Sequence, residues 1–138
     1  MATAAITLTS ADIAGDPVNI SNTSTLTKAD SHMGLDQTTG LTKIIVTTAS
    51  THVILPSQHT LGTGKSAKVF ITNLSANSTE FITVTINAQP LGKLYGGQWA
   101  YFPWSQLDTN SDVKIAASAA GKSIPVEYML MHEGYEFA

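Results

Sequence analysis

Four histidines are the side chains in this sequence best suited to metal binding or proton transfer, at His32, His52, His59 and His132. Zinc sites place their ligands at short fixed spacings, with a second cluster elsewhere in the chain. These histidines are isolated from one another, and the chain has no cysteine to complete such a set. We therefore predict no metal site.

Carboxylates near the C-terminus could act as a general acid and base if two of them were held about 5–10 Å apart. Glu127 occupies the polar face of a predicted strand, and Glu133 and Glu136 lie in a tail. Ser105 follows Pro-Trp and is not in a nucleophile elbow. A glycine-rich loop that binds phosphate is followed by the start of a helix, and no helix start follows Gly92. We predict that the chain is not an enzyme and has no catalytic or cofactor-binding residues.

Aromatic residues are concentrated in one stretch, residues 91–104 (LGKLYGGQWAYFPW). Its Gly96-Gly97 pair between two apolar runs predicts a tight hairpin turn, because glycine adopts positive φ without a steric penalty. Trp99 and Tyr101 alternate with Phe102 and Trp104, so a strand would present rings on both faces. One set fills a core, and the other seals a subunit interface or stacks on sugar rings. We favour the interface, because aromatic residues are enriched there.

Composition excludes several classes of partner. Charged residues make up 12% of the chain, about half the usual share, and all seven basic residues are lysines. With no arginine and a net charge of −3, nucleic-acid binding is not expected. No apolar run approaches the roughly 18–20 residues of a membrane helix, so no membrane partner is expected either. Few charges also reduce the repulsion between copies, which favours a homo-oligomer.

Strand-like alternation dominates the chain from residue 43 onward. The predicted strands cover residues 43–48, 51–55, 67–73, 80–87, 113–118 and 124–131, and no window has a helical period. Pro125 cannot donate to a ladder and should lie at an edge or at the start of its strand. We predict an all-β fold, a single antiparallel β-sandwich of jelly-roll type formed by residues 41–138.

Residues 1–40 are rich in Thr, Ser and Asp and have few large apolar side chains. Ile6 and Leu8 alternate with polar residues, as do Val18 and Ile20, so short strands are plausible. We predict an extended N-terminal arm that is partly mobile in the free subunit and orders against a neighbour's sheet or another surface. The interface candidates are two residues of the arm and four of the aromatic stretch: Ile6, Leu8, Trp99, Tyr101, Phe102 and Trp104.

Three segments together resemble small structural proteins of tailed-phage virions, particularly phages of cyanobacteria. They are residues 35–41 (LDQTTGL), 91–105 (LGKLYGGQWAYFPWS) and 126–130 (VEYML). The resemblance implies a capsid cement, or decoration, protein on the outer head surface, made in the host cytoplasm. Its implied partners are the major capsid protein and its own copies, as a homotrimer. A tail or neck component is the alternative within this class, and a carbohydrate-binding module is the alternative outside it.

Overall fold

The computed structural model describes residues 2–11, 18–29, 31–47, 51–55, 67–86, 88–104, 112–118 and 122–133. Within these ranges the chain forms eleven β-strands and no helix, which confirms the all-β prediction. The strands are β1 (Thr3–Ser10), β2 (Val18–Thr25), β3 (Gln37–Thr38), β4 (Thr42–Val46), β5 (His52–Leu55), β6 (Ala67–Asn73), β7 (Phe81–Ile86), β8 (Gln89–Tyr95), β9 (Trp99–Pro103), β10 (Val113–Ala117) and β11 (Ile124–His132).

Two antiparallel sheets form the body of the protein as a β-sandwich. One has the strand order β5-β10-β7-β8. In the other, β3 and β4 both pair with β11, which is followed by β6 and then β9. The predicted antiparallel sandwich is therefore confirmed, and its jelly-roll topology stays a prediction.

The core lies between these sheets and follows from the alternation of apolar side chains along each strand. In β6, Val69 and Ile71 are fully buried, whereas the intervening Phe70 is half-buried on the outer face. Ile115 in β10 and Ile82 in β7 are buried in the same cluster from the opposite sheet. Each such side chain stabilises the fold by about 1.5–3 kcal/mol through removal from water.

Pro125 lies at the start of β11, as its missing N–H predicts. It is opposite Ile45 of β4, whereas the ladder with β6 begins one residue later, at Val126 opposite Asn73. The Pro125 carbonyl still accepts a hydrogen bond from the backbone N–H of Leu74, at 2.8 Å. The missing N–H therefore removes only the reciprocal bond to Leu74, one position beyond the paired residues of β6.

The predicted Gly96-Gly97 hairpin is wrong. Within the described ranges, β8 pairs with β7 alone in one sheet and β9 with β6 alone in the other, so the turn carries the chain across the sandwich. We call residues 95–98 the corner turn; it is closed by a 2.9 Å hydrogen bond from Gln98 N–H to the Tyr95 carbonyl. The Gly97 N–H donates to the Asn73 carbonyl, which fastens the corner turn to the end of β6. This external anchor replaces the strand pairing that a hairpin would have.

The predicted arm divides into two parts. β1 and β2 form a separate two-stranded antiparallel sheet, which we call the N-terminal hairpin, and neither strand pairs with a described strand of the body. Residues 26–29 and 31–40 instead lie along the body. Within them, β3 pairs with the end of β11, and Thr39 exchanges hydrogen bonds with Leu130 through its backbone N–H and its hydroxyl.

Ala88, in the tight connection from β7 to β8, has a positive φ of 59°. This left-handed conformation costs an L-residue with a Cβ roughly 1–2 kcal/mol, and glycine avoids most of that cost. We expect Ala88→Gly to stabilise the protein by about 0.5–1 kcal/mol after the greater flexibility of the unfolded chain is counted. Denaturant unfolding measures the change, and Ala116→Gly, within β10, is the control that should destabilise. A loss of stability in Ala88→Gly would contradict the expectation.

Candidate interaction surface

The aromatic residues of β9 divide between the two faces of the strand as its alternation predicts. Trp104, which follows the strand, is 4% exposed, and it and Phe102 pack in the core. Trp99 is 49% exposed, and Tyr101 lies half-buried on the same outer face. Phe102 and Trp104 were predicted as interface candidates, and this assignment is corrected, because the inward side of β9 faces the second sheet.

The outer face of β9 continues onto β6 and forms an aromatic patch. Phe70 is directly opposite Tyr101 in the ladder, and its ring centroid lies 6.4 Å from that of Trp99, at an interplanar angle of 37°. We call Phe70, Trp99 and Tyr101 the outer aromatic patch. Partial burial raises the pKa of the Tyr101 hydroxyl above its usual value, so this group is neutral at physiological pH. The three rings therefore form an uncharged surface.

The N-terminal hairpin presents a second uncharged surface. Ile6 and Leu8 lie on one face of β1, and Ile20 joins them there because it is directly opposite Leu8. Their exposed fractions are 47%, 50% and 44%, respectively. Both arm residues predicted as interface candidates are thus exposed to solvent in the single subunit. Isolated two-stranded sheets are at best marginally stable in water, so this face gains most from being covered.

A groove with a volume of about 690 Å³ separates the N-terminal hairpin from the outer aromatic patch. The hairpin side is lined by Ala4, Ala5, Ile6, Asn22 and Ser24. The opposite side is lined by Phe70, Trp99, Ala100 and Tyr101. None of these described lining residues is charged, so this part of the groove suits an uncharged, largely apolar occupant or a polar molecule that stacks on rings.

The base of the N-terminal hairpin is attached to the body by the residues that follow β2. Leu26 is buried, and its backbone N–H extends the hairpin ladder by bonding to the Ala2 carbonyl at 2.9 Å. Ala29 N–H donates to the carboxylate of Glu133, also buried, at 2.7 Å. These contacts hold the base of the hairpin against the body, whereas β1 and β2 pair with no other described strand.

Truncation should separate the hairpin from its base. Deletion of residues 2–25 removes the hairpin but keeps Leu26 and the bond to Glu133, so we expect the unfolding temperature of the body to change little. Deletion of residues 2–30 also removes the Leu26 side chain and leaves Glu133 without its Ala29 donor, and should lower stability by about 2–4 kcal/mol. Thermal unfolding followed by circular dichroism tests both. If the shorter deletion fails to fold, the hairpin is an integral part of the sandwich.

Asn73, which the sequence pattern treats only as the end of a strand, holds the corner turn in place. It is fully buried, and its side-chain amide donates to the carbonyls of Leu94 and Glu80 at 2.9 and 3.3 Å. Its side-chain oxygen accepts from Ser75 N–H at 2.9 Å. The one sequence signal for this role is an asparagine at the inward-facing position of an otherwise apolar alternation.

The titratable side chains do not assemble into a catalytic or metal-binding arrangement in the part of the chain that the structure describes. His32 and His52 are exposed on separate elements, whereas His132 is buried at the end of β11. No group of three or more His, Cys, Asp or Glu side chains there is close enough to hold a metal ion. Three residues considered above, His59, Ser105 and Glu136, lie outside the described residues.

No protein-family model matches the chain, and no curated protein shows significant similarity to it. Among the described residues, no helix has the length and apolar character needed to cross a membrane.

Proposed function

We propose that the chain is a structural protein of a tailed-phage virion, a capsid cement protein that binds the outside of the head and ties neighbouring coat subunits together. The observation that carries the proposal is the uncharged surface formed by the N-terminal hairpin and the outer aromatic patch. Exposed apolar patches of this kind mark sites of protein–protein contact. The resemblance of residues 91–105 to such proteins supplies the class of partner.

The mechanism of a cement protein is mass action. A protein that binds the assembled lattice but not the free coat subunit stabilises the lattice by its binding free energy. It needs neither a catalytic group nor a cofactor, and we propose neither for this chain. Its proposed partners are the major capsid protein and its own copies, as a homotrimer, with no nucleic acid or membrane. Its proposed location is the capsid surface, after synthesis in the host cytoplasm.

Co-sedimentation with purified empty heads and isolated tails of the encoding phage tests this function. We expect saturable binding to heads, and we expect occupied heads to survive a higher temperature than bare heads. Removal of the hairpin, by deletion of residues 2–25, should weaken binding. Binding to tails alone would instead identify a tail or neck component. Binding to neither particle would overturn the structural assignment.

A carbohydrate-binding module is the second candidate, and the groove provides the specific observation in its favour. Trp99 is half-exposed there, and the polar side chains of Asn22 and Ser24 lie across the groove from it. Sugars stack on such rings and hydrogen-bond to such groups. A glycan array probed with the purified protein separates the two functions, because binding that Trp99→Ala abolishes, without binding to heads, would support the module.

A further inference from the structure

Among the described residues no second strand pairs with β9, and the backbone groups of its outer edge point in a defined direction. In an antiparallel ladder each residue either exchanges both backbone hydrogen bonds with its partner or directs both groups away from it. Asn73 N–H bonds to the Gln98 carbonyl, and Trp104 N–H bonds to the Ala67 carbonyl, each at 3.0 Å. These bonds at the two ends of the β6–β9 ladder set its alternation. Trp99, Tyr101 and Pro103 therefore direct their backbone groups toward the free edge.

Pro103 supports this assignment independently. A proline has no N–H to donate, so within a strand it fits only where the N–H would point away from the ladder. Pro103 can offer only its carbonyl to another strand. Trp99 and Tyr101 each offer both a backbone N–H and a carbonyl. The free edge of β9 can therefore form backbone hydrogen bonds to another strand through two residues, Trp99 and Tyr101.

The outer edge of β1 has the same property. Leu26 N–H bonds to the Ala2 carbonyl at 2.9 Å, and the register runs without interruption from there through β1. The even-numbered residues thus bond to β2, and the odd-numbered ones direct their backbone groups away from it: Thr3, Ala5, Thr7 and Thr9. Ala5 lines the groove along with Trp99 and Tyr101, so there is open space beside both edges.

We propose that the free edge of β9 binds the β1 edge of a second copy of this chain, which adds the N-terminal hairpin to the neighbour's sheet. Pairing of the two sets of outward groups would put Ala5 and Thr7 on the same side as Trp99 and Tyr101. Ile6 and Leu8 would then continue the inner, apolar layer of the sandwich, beside Ala100 and Phe102. Ile6 and Leu8, which one subunit leaves exposed, would thus lie on the core side of the neighbour's sheet.

Charge and geometry favour a second copy over other occupants. β1, β2 and β9 contain no charged residue, so two copies meet without repulsion and without unpaired buried charges. Within one subunit β1 and β9 line the same groove but do not pair, and the contacts of Leu26 and Ala29 hold the base of the hairpin. The proposal rests on the self-association proposed above but not on binding to capsids.

Proline substitution tests the edge with a matched control. Ala5 and Thr23 are directly opposite in the hairpin, and each directs its N–H away from the other strand. Ala5→Pro removes a donor from the proposed interface, whereas Thr23→Pro removes the equivalent donor from the other edge of the hairpin. In sedimentation velocity of the full chain, we expect Ala5→Pro to weaken self-association about tenfold, as loss of one hydrogen bond does, and Thr23→Pro to leave it within about twofold. Equal effects would overturn the proposal.

Cross-linking provides a test that does not depend on proline, because the natural chain has no cysteine. Ala5→Cys protein is mixed with tagged Tyr101→Cys protein and treated with a short bis-maleimide. We expect a product containing one copy of each, at a yield well above that from Thr23→Cys mixed with Tyr101→Cys. A cross-link formed only within an Ala5→Cys/Tyr101→Cys double variant would show that the hairpin closes on its own subunit and would overturn the proposal.

The outcomes also separate this interface from the proposed function. A wild-type chain that stays monomeric yet binds empty heads would overturn the interface and leave the cement function standing. Oligomers that neither cross-link nor respond to Ala5→Pro would leave self-association standing and overturn its assignment to β1 and β9. Cross-linking without binding to heads would retain the interface and overturn the function.

Discussion

Trp104→Ala should destabilise the protein by about 3–5 kcal/mol, because truncation of a buried aromatic ring leaves a cavity in the core. The Trp104 side chain is 4% exposed and belongs to the cluster between the two sheets. Losses of this size approach the whole stability of a small domain, so the variant should unfold well below the wild-type temperature. Denaturant titration followed by fluorescence measures the change, since Trp99 remains as a probe.

Trp99→Ala is the matched control on the other side of the same sheet. Its ring is half-exposed and contacts Phe70, so we expect a loss of less than about 1 kcal/mol. The variant should instead lose binding, to empty heads or to its own copies, because the ring forms part of the uncharged surface. Equal losses of stability in the two variants would show that both rings serve the core and would remove Trp99 from the interaction surface.

Period-two alternation was sufficient to predict most of the body. Val69 and Ile71 face inward and Phe70 faces outward, as the alternation in the sequence predicts. The missing N–H of Pro125 correctly predicted its position at the start of β11. The same alternation predicted that Trp99 and Trp104 lie on opposite faces. It could not tell which face was inward, because both faces carry rings and the choice depends on where the second sheet lies.

Local sequence patterns did not predict how the strands are connected. A glycine pair between two strand-like runs fits a hairpin and fits a crossing between sheets equally well, because both need a tight turn. What distinguishes them here is a contact distant in sequence, from Gly97 N–H to the Asn73 carbonyl. Nothing within residues 91–104 indicates that contact, so the pairing of β8 with β7 and of β9 with β6 was not predicted.

The N-terminal hairpin illustrates a limit of a different kind. In the sequence, Ile6 and Leu8 alternate with polar residues, and this pattern predicts a strand with one apolar face. It does not show whether that face meets the body, because burial depends on the path of residues 26–40. In the structure Leu26 enters the core, and the hairpin before it remains outside both sheets.

Gly96→Ala should disrupt the corner turn and cost about 3 kcal/mol, the upper end of the usual range for overpacking. A Cβ at Gly96 would overlap the Asn77 carbonyl oxygen and come within 2.8 Å of that of Ser75, and backbone atoms cannot move aside as a flexible side chain can. The displaced turn would also strain the hydrogen bonds that fasten it to Asn73.

Gly97→Ala provides the comparison, because its obstacle is conformational and not steric. Gly97 has a φ of +86°, and a Cβ there would meet no atom within 4 Å. We expect a loss of about 1 kcal/mol, the cost of a left-handed conformation alone. Thermal and denaturant unfolding of both variants tests this order, and Gly96→Ala should also show altered near-ultraviolet circular dichroism from the neighbouring Tyr95. If Gly97→Ala proved the more damaging, the corner turn would depend on its backbone conformation more than on its close approach to residues 75–77.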